Sequence, residues 1–371
     1  AVIARRKRAR VSWNTAPVQR SACFVRELLM TTSRTVSEER LLAIICHLVE
    51  GAGVPATDAR RCARILVTAD LRGIPSHGVR MLPGKIHRVL GGAFNPNPRI
   101  TKVAEIGSIT VLDADRAIGM VAGAVAMETA ISLARGNGIS WVSVRNSNHF
   151  GAAGSYVMMA VEEGMVGFCF SNCGPIMAVY GTKSRCIGNN PMAIGAPHRA
   201  FPVVLDMALS ISSFGRIHTM KRNGDPVPDE WYAVPPEPGK DAVLRAMGGP
   251  KGSGLAIMVE ILTSVVAGGA IPWDMRPFKS TEKNDGTTHT MIALDVRRLV
   301  PEDQYEETLD RFVEQLKTAE RVEGVNEVIL PGELEWRSTL KKRAEGIPLD
   351  ADVVESLDNV AAFLGTAVPW E

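Results

Sequence analysis

Neither of the common phosphate-binding signatures occurs in this sequence: there is no GxGxxG and no GxxxxGK[ST], so an ordinary Rossmann or P-loop site has no support. An HExxH pair is also missing, and the six cysteines (Cys23, Cys46, Cys62, Cys169, Cys173 and Cys186) form no CxxC spacing. A zinc site is therefore not indicated, and the thiols read as buried groups in a reducing compartment. Long apolar runs are lacking too. The most apolar stretch, residues 254–271, is interrupted by Glu260 and by glycines, which makes it a core helix rather than a membrane span. No internal repeat is visible, and acidic residues are absent from positions 1–26.

That acid-free arm holds Arg5, Arg6, Lys7, Arg8, Arg10, Arg20 and Arg26, seven of the 42 basic residues. The remaining chain has 35 basic against 40 acidic residues, which argues against a nucleic-acid-binding body; only the arm is basic. A transit-type segment, an inert extension ahead of Met30 and a polyanion-binding tail all fit its composition. The expected location is cytoplasmic, or mitochondrial if residues 1–26 are a genuine transit segment.

The body, with 46% hydrophobic residues over 371 positions, can build more than one sizeable core. Helical spacing predicts helices over 37–50, with Ser37 as cap, and over 55–72, with Gly73 as stop. A third, across 79–92, is expected to be interrupted at Pro83 and Gly84. Strands are predicted at 108–112, 139–144, 165–171, 191–197, 202–207 and from 289, alternating with helices at 119–135 and 153–163, which argues an α/β or α+β middle domain. The five prolines of 223–240 predict an irregular excursion. Helices follow at 252–268, 301–320, 333–344 and 350–364.

Four constellations carry chemistry. His149 in "RNSNHFGAAGSY" sits just past a predicted strand end. It is either a hydrogen-bonded structural histidine or a general acid/base, with Asn146 and Asn148 able to fix its tautomer or a substrate oxygen. In "GIPSHGVRMLP", Ser76 and His77 offer a hydroxyl and an imidazole to an oxyanion, with Arg80 as the nearby cation, or else merely satisfy a capping turn. Lys251 in "GGPKGSG" stands ahead of a helix, as a phosphate contact or as a solvated lysine. Asp206 ends a strand, where it can accept from ribose hydroxyls or cap a helix beginning at Met207. His289 reads as structural.

The ordered segments "GIPSHG", "RNSNHFGAAGSY", "GNNPMAIGAP", "VVLDMA", "GGPKGSGLAIMVEIL" and "VILPGE" resemble the malate/L-lactate dehydrogenase family of the second type. That family also includes ureidoglycolate, sulfolactate, diketogulonate and cyclic-imine reductases, and the resemblance covers about residues 35–365. It implies an NAD- or NADP-dependent oxidoreductase with a non-Rossmann α/β (α+β) fold. A mixed, largely antiparallel sheet domain holds the cofactor, and a helical domain is built from both chain ends. The expected division is 1–34 extension, 35–107 helical, 108–299 sheet domain and 300–371 helical, packing on 35–107. A homodimer is expected, with no membrane partner.

By the same resemblance, His149 and His77 are catalytic, and Ser76, Arg80 and Asn148 bind substrate. Cys173, Asp206, Met207, Ala208, Lys251, Gly252, Pro331, Gly332 and Glu333 contact the dinucleotide, and no metal is used. The implied reaction is reversible hydride transfer between a 2-hydroxy acid and its 2-oxo acid. The alternatives are reduction of a cyclic imine carboxylate and a catalytically impaired dinucleotide-binding member. Departures from the family pattern sharpen the second of these: Arg80 stands one residue early in "SHGVRM", with Met81 where an arginine is expected, and Asn189 replaces a common Thr. The segment before Lys251 is also short.

Overall fold

The structure, a computed structural model, describes residues 32–237, 242–275 and 285–371, so the basic arm lies outside the described residues. Helices α1 (Glu38–Gly51) and α2 (Ala56–Leu71) form where the spacing predicts them. Ser37 accepts the Arg40 N–H at 3.1 Å, and Gly73 takes a φ of 79° to end the second helix. Helix α3 (Leu82–Leu90) corrects one expectation: Pro83 does not interrupt it but occupies its first turn, where a missing N–H costs nothing. A 3₁₀ turn, Val79–Met81, leads into it.

The central sheet takes the order β2 (Thr101–Ile106), β3 (Ile109–Asp113), β4 (Ile139–Ser147), β10 (Thr287–Asp295), β5 (Met165–Ser171), β6 (Met192–Ala196) and β7 (Val203–Met207). Among the described residues, β3 and β4 pair parallel, joined by helix α4 (Gly119–Asn137), while the other neighbours pair antiparallel. Helices α2, α4 and α5 (Gly154–Glu162) bury one face of the sheet, sharing a core with Leu66, Met120, Met127, Tyr156 and Val157. A second core containing Phe170, Met177, Leu209 and Ala256 covers the other face. Helix α7 (Pro250–Glu260), continued by a π turn at Ile261–Val265, packs there.

The two ends of the described chain meet on the helical side. Strand β1 (Arg34–Val36) pairs with β11 (Ile347–Leu349), helix α9 (Glu333–Glu345) lies on α2, and α10 (Ala351–Phe363) lies on α3. Helix α8 (Glu302–Lys317) precedes them. Helix α6 (Phe214–Asn223) was not expected, and the Pro-rich excursion is not wholly irregular. Within it a 3₁₀ turn (Asp229–Trp231) and strand β8 (Tyr232–Val234) form, the strand pairing with β9 (Val243–Leu244). No helix among the described residues is long and apolar enough to cross a membrane.

Candidate active site

Strand β4 runs to Ser147, so His149 stands two residues past its end, and the chain then turns through Gly151 (φ 90°) into α5. This loop lies flush on the start of α4: a Cβ on Gly119 would come within 2.1 Å of the Asn148 carbonyl oxygen. His77 arrives from the opposite direction, on the 3₁₀ turn Pro75–His77 after α2. Asp70 holds that turn by accepting the Val79 N–H at 2.7 Å, and a Cβ on Gly78 would strike its carboxylate. The two imidazoles stack, with centroids 5.8 Å apart and planes 25° from parallel. Ser76 Oγ lies 2.9 Å from His77 Nδ1, so three sequence-predicted residues come together.

The electrostatics around this pair come from residues that sequence reading missed. Helix α3 turns Lys85 and Arg88 inward, on the face that also buries Leu82, Ile86 and Val89. Lys85 is 3% exposed; its Nζ donates to the His149 carbonyl oxygen at 2.8 Å and lies 3.5 Å from His149 Nδ1. Burial, modulated by Asp285, Arg88 and Cys62, pulls its ammonium down to about 8. Arg88 forms an ion pair with Asp285 at 2.8 Å, both side chains buried. Asp285 also accepts the His149 N–H at 2.9 Å. A detectable signal existed in the sequence: two cations at i and i+3 on an otherwise apolar helical face. Asp285 gave none.

Burial, and then the Lys85 charge, depress both imidazoles, His149 well below its ordinary range. Each is therefore neutral near pH 7. His289 is structural, as read: it stacks on Phe150 at 4.3 Å, and its ring nitrogens lie 2.8 Å from Ser171 Oγ and 2.9 Å from Ser147 Oγ. Burial holds it down to about 3.

Two expected substrate contacts are placed elsewhere. Asn148 is fully buried; its amide donates to the Ala117 carbonyl at 2.8 Å and accepts from the Asp285 N–H at 2.8 Å, which fixes the loop and leaves nothing for a ligand. The Arg80 guanidinium turns to Asp350 (2.7 Å) and Asp352 (2.5 Å) at the start of α10, because the turn points residue 80 outward toward those carboxylates. Met81 is partly buried against the core. Among the described residues no group of three or more His, Cys, Asp or Glu side chains is arranged to hold a metal.

The expected dinucleotide contacts are spread along β7 and the segments beside it, from Pro331–Glu333 at its start to Asp206 and Met207 at its end. Asp206 does not cap a helix at Met207, since Met207 ends the strand and α6 begins only at Phe214; instead it caps α5, accepting the Gly154 N–H at 2.8 Å. Burial raises its carboxyl, opposed by that hydrogen bond and by Arg72. Gly332 (φ 85°) lets the Pro331–Glu333 turn lie on β7, where Val204 N–H donates to the Pro331 carbonyl at 3.0 Å and an added Cβ would meet Val204 N at 2.7 Å. Glu333 is spent on Lys317 and Arg337.

From Met207 the chain passes half-buried Ala208 and bridges to the lead of α7, with Met247 N–H donating to the Leu209 carbonyl at 2.9 Å. Lys251 is exposed in the first turn of that helix, and Gly252 presses against the Met247 carbonyl. Cys173 joins the same region through Asn189 and Asn190, its thiol pushed up to about 11 by burial.

What suits an anionic dinucleotide here is positive charge: Lys251 is exposed in the first turn of α7, and Arg72, 4% exposed and electrostatically coupled to Asp206, leaves its buried Nε and Nη1 without hydrogen-bond partners, whereas Gly252 and Gly332 are glycines because the chain's own backbone lies against them. Arg72 lines a cavity of about 630 Å³ with His198, Pro202, Arg297 and Trp336; neither His77 nor His149 lines it.

The family model for malate/L-lactate dehydrogenase matches residues 36–358. A malate dehydrogenase of Pyrococcus abyssi is 32% identical over 349 residues, covering 89% of this chain and 95% of that protein. An L-sulfolactate dehydrogenase of Methanocaldococcus jannaschii is 31% identical, covering 87% and 95%. Among solved structures, malate dehydrogenase from Entamoeba histolytica superposes with a TM-score of 0.86 at 28% identity, covering 91% of this chain and 99% of that one. With the family model spanning most of the chain and these likenesses running nearly end to end, the chain belongs to the malate/L-lactate dehydrogenase family.

Proposed function

We propose that the protein is an NAD(P)-dependent oxidoreductase that interconverts a small 2-hydroxy acid, of the malate or lactate kind, and its 2-oxo acid. The stacked His77–His149 pair beside buried Lys85 carries this reading, because it brings two imidazoles and an ammonium together just past a strand end. The bound nicotinamide would supply or accept the hydride. Asp206 to Ala208, Cys173, Lys251, Gly252 and Pro331 to Glu333 would hold it, outside any Rossmann arrangement; a sheet in which, among the described residues, one neighbouring pair runs parallel supports that reading.

The protein's own work is to orient the carbonyl and to move one proton. His149 gives that proton to the oxygen in reduction and takes it back in oxidation. His77, steadied by Ser76, holds the same oxygen or the neighbouring carboxylate. Neutral imidazoles suit this task, since an anionic substrate brings its own charge into a site already carrying Lys85. A catalytically impaired, dinucleotide-binding protein is the second reading, favoured by Arg80 being engaged with Asp350 and Asp352.

Absorbance of NADH and NADPH with oxaloacetate, pyruvate and a cyclic imine carboxylate separates these readings. Turnover of a 2-oxo acid that drops by about 10²-fold or more in His149→Gln is the expected result. Cofactor binding without turnover of any oxidant would favour the impaired protein, and turnover of the imine alone would move the substrate class to C=N bonds.

A further inference from the structure

Helix α8 has no buried side chain, so burial does little to fix it, and residues 318–332 after it form neither helix nor strand. Polar contacts hold this part of the chain instead. Midway along the helix, His198 Nε2 lies 2.9 Å from Asp310 Oδ1, and the Tyr305 hydroxyl donates to the Pro197 carbonyl at 3.0 Å. At its end stands Lys317, whose Nζ gathers three points of the following segment. These are the Glu327 carboxylate at 3.3 Å, the Val328 carbonyl at 2.8 Å and both oxygens of Glu333 at 2.7 Å.

Glu333 is 6% exposed, and a carboxylate at that depth is kept only with its donors in place. Its other donors are the Leu330 N–H at 3.2 Å and Arg337, one turn along α9. A carboxylate offers about four lone-pair sites, and the contacts within the chain use them all: Lys317 and Arg337 on Oε1, Lys317 and Leu330 on Oε2. Burial raises the carboxyl, and the Lys317, Leu330 and Arg337 donors outweigh it to hold the group below its usual range. Nothing is left on this side chain for a ribose hydroxyl.

We propose that the Glu333 carboxylate anchors the Pro331–Glu333 turn rather than touching the cofactor, and that Lys317 is the positioning residue that holds it there. The inference rests on the reading of that turn as a dinucleotide contact. With the carboxylate drawn toward the end of α8, the turn lies against β7 through the Pro331 carbonyl and Gly332, and it meets the cofactor with its backbone. Removing the ammonium leaves Glu333 buried with Arg337 as its one remaining cation, so the carboxylate swings toward water and lifts the turn from β7. Neutralising Glu333 cuts the same link from the other side. The two changes therefore act on one interaction.

The test is binding of NADH and NADPH to the full chain, followed by fluorescence titration, with turnover beside it. Lys317→Met is expected to raise the Kd of the preferred dinucleotide about tenfold, the size of one lost hydrogen bond to a charged group. Its KM for the dinucleotide rises with Kd while kcat is unchanged, because the histidines are not disturbed. Lys317→Arg keeps two donors for the carboxylate and recovers most of the affinity. Glu333→Gln shows the same loss, and the double variant Lys317→Met with Glu333→Gln binds no more weakly than either single one. Arg61→Met, which breaks the ion pair with Glu128 between α2 and α4, lowers the melting temperature without changing Kd.

Losses that add in the double variant would return a direct cofactor contact to Glu333 and overturn the inference. So would a Lys317→Met that keeps the wild-type Kd, or one whose melting temperature alone falls. A wild type that binds neither NADH nor NADPH is a different failure: it would overturn the dinucleotide reading itself, and this inference with it.

Discussion

At the scale of single residues, the site is held by buried charges whose positions are fixed by backbone N–H groups. Asp285 accepts from His149 N–H while paired with Arg88, and Asp70 accepts from Val79 N–H beneath the His77 turn. Such groups cost free energy to bury and are kept where removing a partner would cost more. Asp70 yields a prediction. Burial, only partly offset by Val79, Lys342 and Arg80, raises its carboxyl to about 7 in the folded chain, against about 3.9 unfolded. The folded state then binds the extra proton between those values, so the stability Asp70 contributes is full below about pH 4 and is lost as pH rises through about 7. Asp70→Asn keeps an acceptor for Val79 without the titration. Its melting temperature, measured from pH 4 to 8 beside the wild type, is expected to decline less over that interval; parallel curves would remove Asp70 as the source.

At the scale of elements, the junction of β7 with α5 joins the expected cofactor residues to the histidine loop, since Gly154 begins five residues after His149 and takes its cap from Asp206. The contact leaves no space: a Cβ on Gly154 would stand 2.6 Å from Asp206 Oδ2, closer than real Cβ atoms come. Gly154→Ala is therefore expected to destabilise the fold by about 1–3 kcal/mol and to weaken dinucleotide binding as Asp206 is displaced. Denaturant unfolding and a cofactor titration check both effects, and an unchanged pair of values would refute the packing argument.

The same junction marks what the sequence could tell. Strands β4 to β7 were legible because apolar runs between glycines and polar clusters dictate them, and His149 was legible because a strand end is local. Strand β2 was not, as all six of its residues are exposed and present no alternation to read. That Asp206 caps a helix 52 residues earlier in the chain is equally invisible, since only tertiary packing brings Gly154 to it. Arg80 was expected at the substrate and Lys85 was not singled out, for a similar reason. Which of two nearby cations turns inward is decided by the 3₁₀ turn Val79–Met81 and by the carboxylates of α10, neither of which has a sequence signature at this distance.

At the scale of the whole molecule, the surface of α7 and its π turn is out of keeping with a solvated helix. Leu255, Met258, Ile261 and Val265 recur at spacings of three and four residues and are all exposed, Val265 at 58%. A stripe of this kind faces a partner in a stable protein, and a second copy of the chain is the partner the family resemblance implies. Lys251 opens the same helix, so a partner seated on the stripe would also border the expected cofactor contacts. Placing carboxylates there, in Met258→Glu with Val265→Glu, sets like charges against each other across a two-fold interface without touching the core beneath. The wild type is expected to sediment as a dimer at micromolar concentration and the double variant as a folded monomer with its melting temperature lowered, because the stripe then meets water. Lys341→Glu, an equally exposed change on α9, is expected to leave the dimer intact. A wild-type monomer, or a double variant that still sediments as a dimer, would remove the α7 stripe as the interface.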